Sequence, residues 1–191
     1  LLSVGLIPEN ELSKELGVEL NPITNGPIVD ESLETSVEGV FACGNVLHVH
    51  DLVDYVSQEA ENAGRNAAKY VNESGKDIAE DLAKDAVKGI VINTTKDDNG
   101  SRVTVVAGDG IRYTVPEKIN INRMDDSITI RFRVADIYKD SYIGVYLDKE
   151  RILHKKRLIM VPGEMEEVKL EKAKLAVRSE IRTITIQIEK E

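Results

Sequence analysis

Gly39-Val40-Phe41-Ala42-Cys43-Gly44-Asn45, followed after five intervening residues by Asp51-Leu52-Val53-Asp54-Tyr55-Val56, is the stretch on which the reading of the fold turns. Val40 to Cys43 is an unbroken apolar run between glycines, which predicts a short strand buried on both faces of a parallel sheet. From Asp51 the period changes. Leu52, Val56, Ala60, Ala63, Gly64, Ala67, Ala68 and Val71 recur at spacings of three and four, which predicts an amphipathic helix with Asp51 as N-cap and Gly75 as its stop. The stripe is small, so this helix can approach a sheet or another backbone closely. Strand, glycine, loop, helix suits an anion or nucleotide, because a helix start offers unpaired N–H groups and a partial positive charge. The same order also arises where a glycine simply makes the turn.

Working outward, Leu1 to Gly5 reads as a short strand, Asn10 to Leu16 as a short helix, and the Pro22, Asn25, Gly26, Pro27 cluster as a hairpin-like excursion. Lys76 to Lys88 is charged and Ala-rich and predicts a connecting helix. Beyond it the period drops to two, as in Ile90/Ile92, Val103/Val105, Ile128/Ile130/Phe132/Val134, Ile143/Val145/Leu147 and Ile184/Ile186/Ile188. About seven such strands predict an antiparallel, immunoglobulin-like sandwich. Arg131, Arg133, Lys155 and Arg157 are expected to point outward, and Glu164, Glu166 and Glu167 to form a solvated edge. The fold class is α+β: a partial α/β lobe over residues 1–72, a linker helix over 73–88 and an all-β sandwich over 89–191.

Charge separates the same units. The net charge is −9, yet residues 1–75 hold 3 Lys/Arg against 13 Asp/Glu, while the remainder is nearly balanced. The acidic segment would repel a phosphate backbone, and the basic cluster Arg151, Lys155, Lys156, Arg157 has no aromatic neighbours in sequence, so no nucleic-acid partner is expected. One cysteine permits no internal disulfide, and Cys43 inside an apolar run reads as a small buried hydrophobe. No run is long enough to span a membrane and no signal-peptide pattern opens the chain, so a cytoplasmic location is expected. The opening Leu1-Leu2-Ser3 reads as a fragment.

The run Thr35-Ser36-Val37-Glu38-Gly39-Val40-Phe41-Ala42-Cys43-Gly44-Asn45 resembles the T-S-x-x-G-V-F-A-C-G-D signature of pyridine nucleotide-disulfide oxidoreductases, flavoproteins with two dinucleotide-binding domains. The opening Leu2 to Pro8 is similar to the family's A-T-G-x-x-P strand, and Leu47 to Asp54 to a subgroup with an appended small C-terminal domain. The resemblance covers residues 1–72. It implies FAD and NAD(P) in the complete enzyme, with Gly44 and Asn45 facing ribitol and pyrophosphate and N–H groups between Asp51 and Ser57 facing the flavin. Asn45 stands where the family usually has Asp, and an amide can both donate to and accept from a hydroxyl. The family's G-x-G-x-x-G is missing, since Gly108-Asp109-Gly110 reads as a turn. The resemblance thus implies upstream FAD and NAD(P) domains, on the same chain or a separate subunit, with this segment inactive and cofactor-free alone. Without them the unpaired strand would drive formation of a homo-oligomer.

His48 and His50 are the candidate catalytic residues, either flavin-proximal and proton-transferring or held in a structural hydrogen-bond network. No metal site is expected, because only three histidines exist, His154 lies in the other unit, and His48, His50, Asp51, Asp54 match no familiar ligand spacing. The competing reading is a non-enzymatic interaction module docking through its sandwich.

Overall fold

The computed structural model describes residues 5–84, 102–177 and 181–190. The acidic segment contributes a short helix, α1 (Glu11–Glu15), a single 3-10 turn over Gly44–Val46, and one long helix, α2 (Val53–Lys84). The predicted hairpin-like excursion is present, with Leu20 bridged to Pro27 and the Asn21 N–H donating to the Gly26 carbonyl at 2.8 Å.

Among the described residues eight strands follow: β1 (Arg102–Ala107), β2 (Ile111–Val115), β3 (Lys118–Asn120), β4 (Ser127–Val134), β5 (Tyr138–Leu147), β6 (Glu150–Met160), β7 (Glu166–Glu171) and β8 (Thr183–Glu189), with a short helix, α3 (Lys172–Ala176), before the last. They form a five-stranded sheet, β3-β1-β8-β5-β6, and a three-stranded sheet, β2-β4-β7. The architecture is α+β. One pairing departs from an all-antiparallel sandwich, since β1 and β8 run parallel with Val105 opposite Ile184. The alternation read from sequence is what packs the domain: Ile184 and Ile186 of β8, Ile143 and Val145 of β5, and Ile130 and Phe132 of β4 are all fully buried in one core.

Three expectations need correction. Residues 40–43 are not a sheet strand: Phe41 makes one isolated bridge to Glu34, and the Ala42 N–H donates to the Leu33 carbonyl at 3.0 Å. The run is apolar enough for a strand, but its pairing here is local, so the orphan-strand argument for self-association lapses. Gly75 does not stop the helix, because a single glycine costs only about 1 kcal/mol amid good helix formers. The connecting helix is the same helix continued to Lys84; residues 85–88 and the Ile90/Ile92 pair lie outside the described residues.

The third correction concerns the outer face of the three-stranded sheet. Arg131 and Arg133 alternate with Ile130 and Phe132 and so point away from the main core, yet they are only 8% and 9% exposed. The acidic segment covers them. Tyr113 and Val115 of β2 join Val29, Leu33, Ala42, Leu47 and Ala63 in a second core. Polar contacts stitch the same seam: the Glu117 N–H donates to the Val29 carbonyl at 3.2 Å, and Arg133 donates to the Val49 carbonyl at 2.9 Å. Glu166, expected on a solvated edge, is buried and paired with Arg157 at 2.9 Å. The basic strand β6 is largely exposed as expected, but Tyr142 of β5 stacks on its His154 with centroids 4.1 Å apart.

Glu31 makes the seam sensitive to pH. Its side chain is 3% exposed; Oε2 accepts from the Asn120 N–H at 2.7 Å, while Oε1 lies 3.8 Å from Arg123 Nε without a hydrogen bond. Burial and the neighbouring Asp30 charge push its pKa from 4.5 up to about 7, against the Asn120 hydrogen bond and Arg123. A raised carboxyl pKa means that the folded state holds the proton more tightly. Its contribution is therefore complete below the unfolded value and is lost as pH rises through about 7. Between about pH 5 and about pH 8 the protein should lose on the order of 1–3 kcal/mol relative to Glu31→Gln. Denaturant midpoints for both proteins across that range check this; parallel curves would contradict it.

Candidate functional site

The 3-10 turn begins at Gly44, whose φ of +71° is a left-handed conformation that disfavours any side chain. The turn aims the chain so that His48 and His50, two residues apart, fall on one side, against the second turn of α2. There they meet Glu59. His48 Nε2 lies 3.1 Å from Glu59 Oε1 and His50 Nε2 3.0 Å from Glu59 Oε2, and the Gly44 N–H donates to that same Oε2 at 2.6 Å. All three side chains are 1–2% exposed. The two imidazole rings sit 4.4 Å apart, and the Tyr113 ring meets His48 edge-on at 5.8 Å. Arg131 NH1 stands 3.7 Å from Glu59 Oε1 and stacks its guanidinium over Tyr55 at 5.1 Å.

The charges in this knot follow from its geometry. Burial alone would push the Glu59 carboxyl up, but the hydrogen bonds from both imidazoles outweigh it and bring the pKa down to about 2. Burial also lowers the His48 pKa, more than the Glu59 contact raises it. At neutral pH we therefore take Glu59 as ionised and His48 as neutral, donating Nε2–H to it. Among the described residues neither His48 Nδ1 nor His50 Nδ1 has a hydrogen-bond partner, although both are buried.

Of the cofactor-contact residues expected from sequence, Asn45 and Ser57 are exposed, whereas Gly44 is buried. Asn45 Oδ1 accepts from the His50 N–H at 3.1 Å, which leaves its amide –NH2 for an acceptor outside. The Gly44 N–H is already given to Glu59 and shapes the turn. Asp51 is committed elsewhere: Oδ2 accepts from the Met165 N–H at 3.1 Å and Oδ1 lies 3.4 Å from Arg133, so it ties the loop to the β-domain and does not cap α2, which starts at Val53.

The helix presents an unexpected face. Glu59 and Ala63 are buried, and Asn66, half-buried, donates to the Ser32 carbonyl at 2.9 Å. Val53, Ser57, Ala60, Gly64, Ala68 and Val71 are exposed, Val53 at 75%. A Cβ added at Gly64 would meet nothing within 4 Å. On the other side of α2, a cleft of about 850 Å³ separates it from the three-stranded sheet, lined by Gln58, Glu59, Arg131, Glu31 and Lys169 among others.

Glu59, on which Gly44 and both histidines converge, was not singled out by the sequence. It is one of several acidic residues on a helix whose small stripe drew the attention. The available signal was its position four residues before Ala63, on what is the packed face.

An exposed amide beside a glycine turn leads here to an open, small-residue helix face on an α+β scaffold. Residues 1–67 match the family model described as pyridine nucleotide-disulphide oxidoreductase, so this segment is related to that family over about a third of the chain. No solved structure matches the chain. No helix among the described residues is long and apolar enough to cross a membrane.

Proposed function

We propose that this chain is the C-terminal part of an FAD-dependent oxidoreductase acting with NAD(P), in which residues 44–57 form the ribitol-side wall of the flavin site. The observation that carries the reading is the open face of α2. Val53, Ser57, Ala60 and Gly64 are exposed, as is Asn45, and a Cβ at Gly64 would meet nothing within 4 Å, on a segment related to these flavoproteins. A helix this apolar on its solvent side asks for cover. The residues present fit half of an FAD site: the Asn45 amide and the Ser57 hydroxyl supply hydrogen bonds, and the start of α2 supplies unpaired N–H groups. Bound FAD would supply the hydride exchange with NAD(P).

This chain's own contribution is orientation. Gly44 sets the turn, Glu59 holds Gly44 and both histidines, and Asp51 anchors the loop to β4 and Met165. His48 and His50 act through Glu59 and are positioning residues. The segment works with the upstream FAD and NAD(P) domains and is inactive without them. Asn45→Ala in the complete polypeptide should weaken FAD retention by about tenfold, the loss of one or two hydrogen bonds to a buried ligand. Flavin fluorescence titration checks this, and unchanged affinity would count against the assignment of Asn45. If the complete polypeptide retains no flavin, the exposed apolar residues Leu6, Ile7, Leu12, Leu52 and Val53 leave a non-enzymatic docking module as the reading.

A further inference from the structure

We propose that His48, His50 and Glu59 form a binding site for a first-row transition-metal ion of the Zn²⁺ class, independent of the flavin reading. The sequence offered two histidines without a third ligand; the fold supplies Glu59 from α2. The ligand atoms all lie within 4.8 Å of one another, and the side chains are nearly inaccessible. Two ligand atoms about 2.1 Å from a shared ion lie about 3.0 Å apart at a right angle and about 3.4 Å apart at a tetrahedral one. The two histidine–carboxylate separations, 3.1 Å to Oε1 and 3.0 Å to Oε2, fall in that range, and with all three ligand atoms within 4.8 Å the side chains must draw together to share one ion. Two imidazoles and one carboxylate are donors that suit Zn²⁺ or Co²⁺ and leave a coordination position for water.

The neighbours bear on this in both directions. The Gly44 N–H fixes Glu59 Oε2 from outside, as an outer-shell hydrogen bond to a metal carboxylate does. Since neither Nδ1 is engaged, a ring that carries its proton on Nδ1 presents the Nε2 lone pair to an ion. Glu59 also lines the cleft of about 850 Å³ beside α2. Arg131, 3.7 Å from Glu59 Oε1, opposes a cation, so affinity should be modest, in the micromolar range. That opposition yields a signature that adventitious binding lacks: removing the Arg131 charge should tighten the site.

The test is a Zn²⁺ titration of the purified 191-residue chain by calorimetry, with Co²⁺ absorbance reporting the coordination. Stoichiometric binding is expected, abolished in His48→Asn/His50→Asn, unchanged in His154→Asn and tightened about tenfold or more in Arg131→Gln. No binding at micromolar ion, or binding that survives the double histidine substitution, overturns the proposal. Should the double variant fail to fold, the comparison of Arg131→Gln with the parent decides, and equal affinities in those two proteins overturn it as well.

Discussion

Replacing Glu59 by alanine should cost about 3–5 kcal/mol of folding stability, the loss seen when one partner is removed from a buried charged network. The carboxylate receives the Gly44 N–H and faces both imidazoles, with Arg131 close by, and none of these groups reaches water easily. Alanine leaves one backbone donor and two ring nitrogens unsatisfied inside the protein and strips Arg131 of its nearest buried counter-charge. Glu59→Gln keeps an acceptor for Gly44 and should cost markedly less. Denaturant melts of the two variants check the order. An alanine variant within about 1 kcal/mol of the parent would mean that the knot does not hold the loop.

Gly26→Ala should be comparably damaging for a different reason. A Cβ at Gly26 would lie 1.6 Å from the Leu47 carbonyl oxygen and 2.5 Å from its carbon, both backbone atoms that no rotamer change can move aside. The loop cannot retreat, because the Asn10 amide donates both to the Asn25 carbonyl and to the Val46 carbonyl at 2.8 Å. Room can come only from shifting Leu47, which is 1% exposed, and with it His48. A cost of about 3 kcal/mol or more is expected, at the upper end of overpacking effects. Gly64→Ala is the matched control. It adds a methyl into open space in an exposed helix interior and should stabilise this chain by about 0.5–1 kcal/mol. Equal effects at the two glycines would contradict the packing around residue 47.

The β-domain was legible because a half-buried strand writes its inward residues at a period of two, and Ile184, Ile186 and Ile128, Ile130, Phe132 all obey it. Pattern could not show that β4 is buried on both faces. Arginines at alternate positions read as solvated, and only the docking of the acidic segment encloses them. The helix after Asp51 was legible in type but not in orientation. Of the predicted stripe, Ala63 is buried and Val56 and Ala67 are half-buried, while Leu52, Ala60, Gly64, Ala68 and Val71 are exposed, because the packed face is rotated toward Glu59 and Asn66, whose polar partners lie in the loop. Residues 40–43 show the converse limit: an apolar run states a tendency to be buried, and whether it becomes a strand depends on neighbours. The sequence singled out Gly44 and the two histidines but not the residue they converge on, Glu59, which contacts of about 3 Å across nine and eleven residues bring to them.

The flavin content of the complete polypeptide that carries this segment, read from the visible absorbance of the protein after gel filtration, tests most directly the proposal that residues 44–57 line a flavin. Stoichiometric FAD, lost when Ala60→Trp fills the open face of α2, is the predicted result. A colourless, folded protein that stays indifferent to added FAD would contradict it.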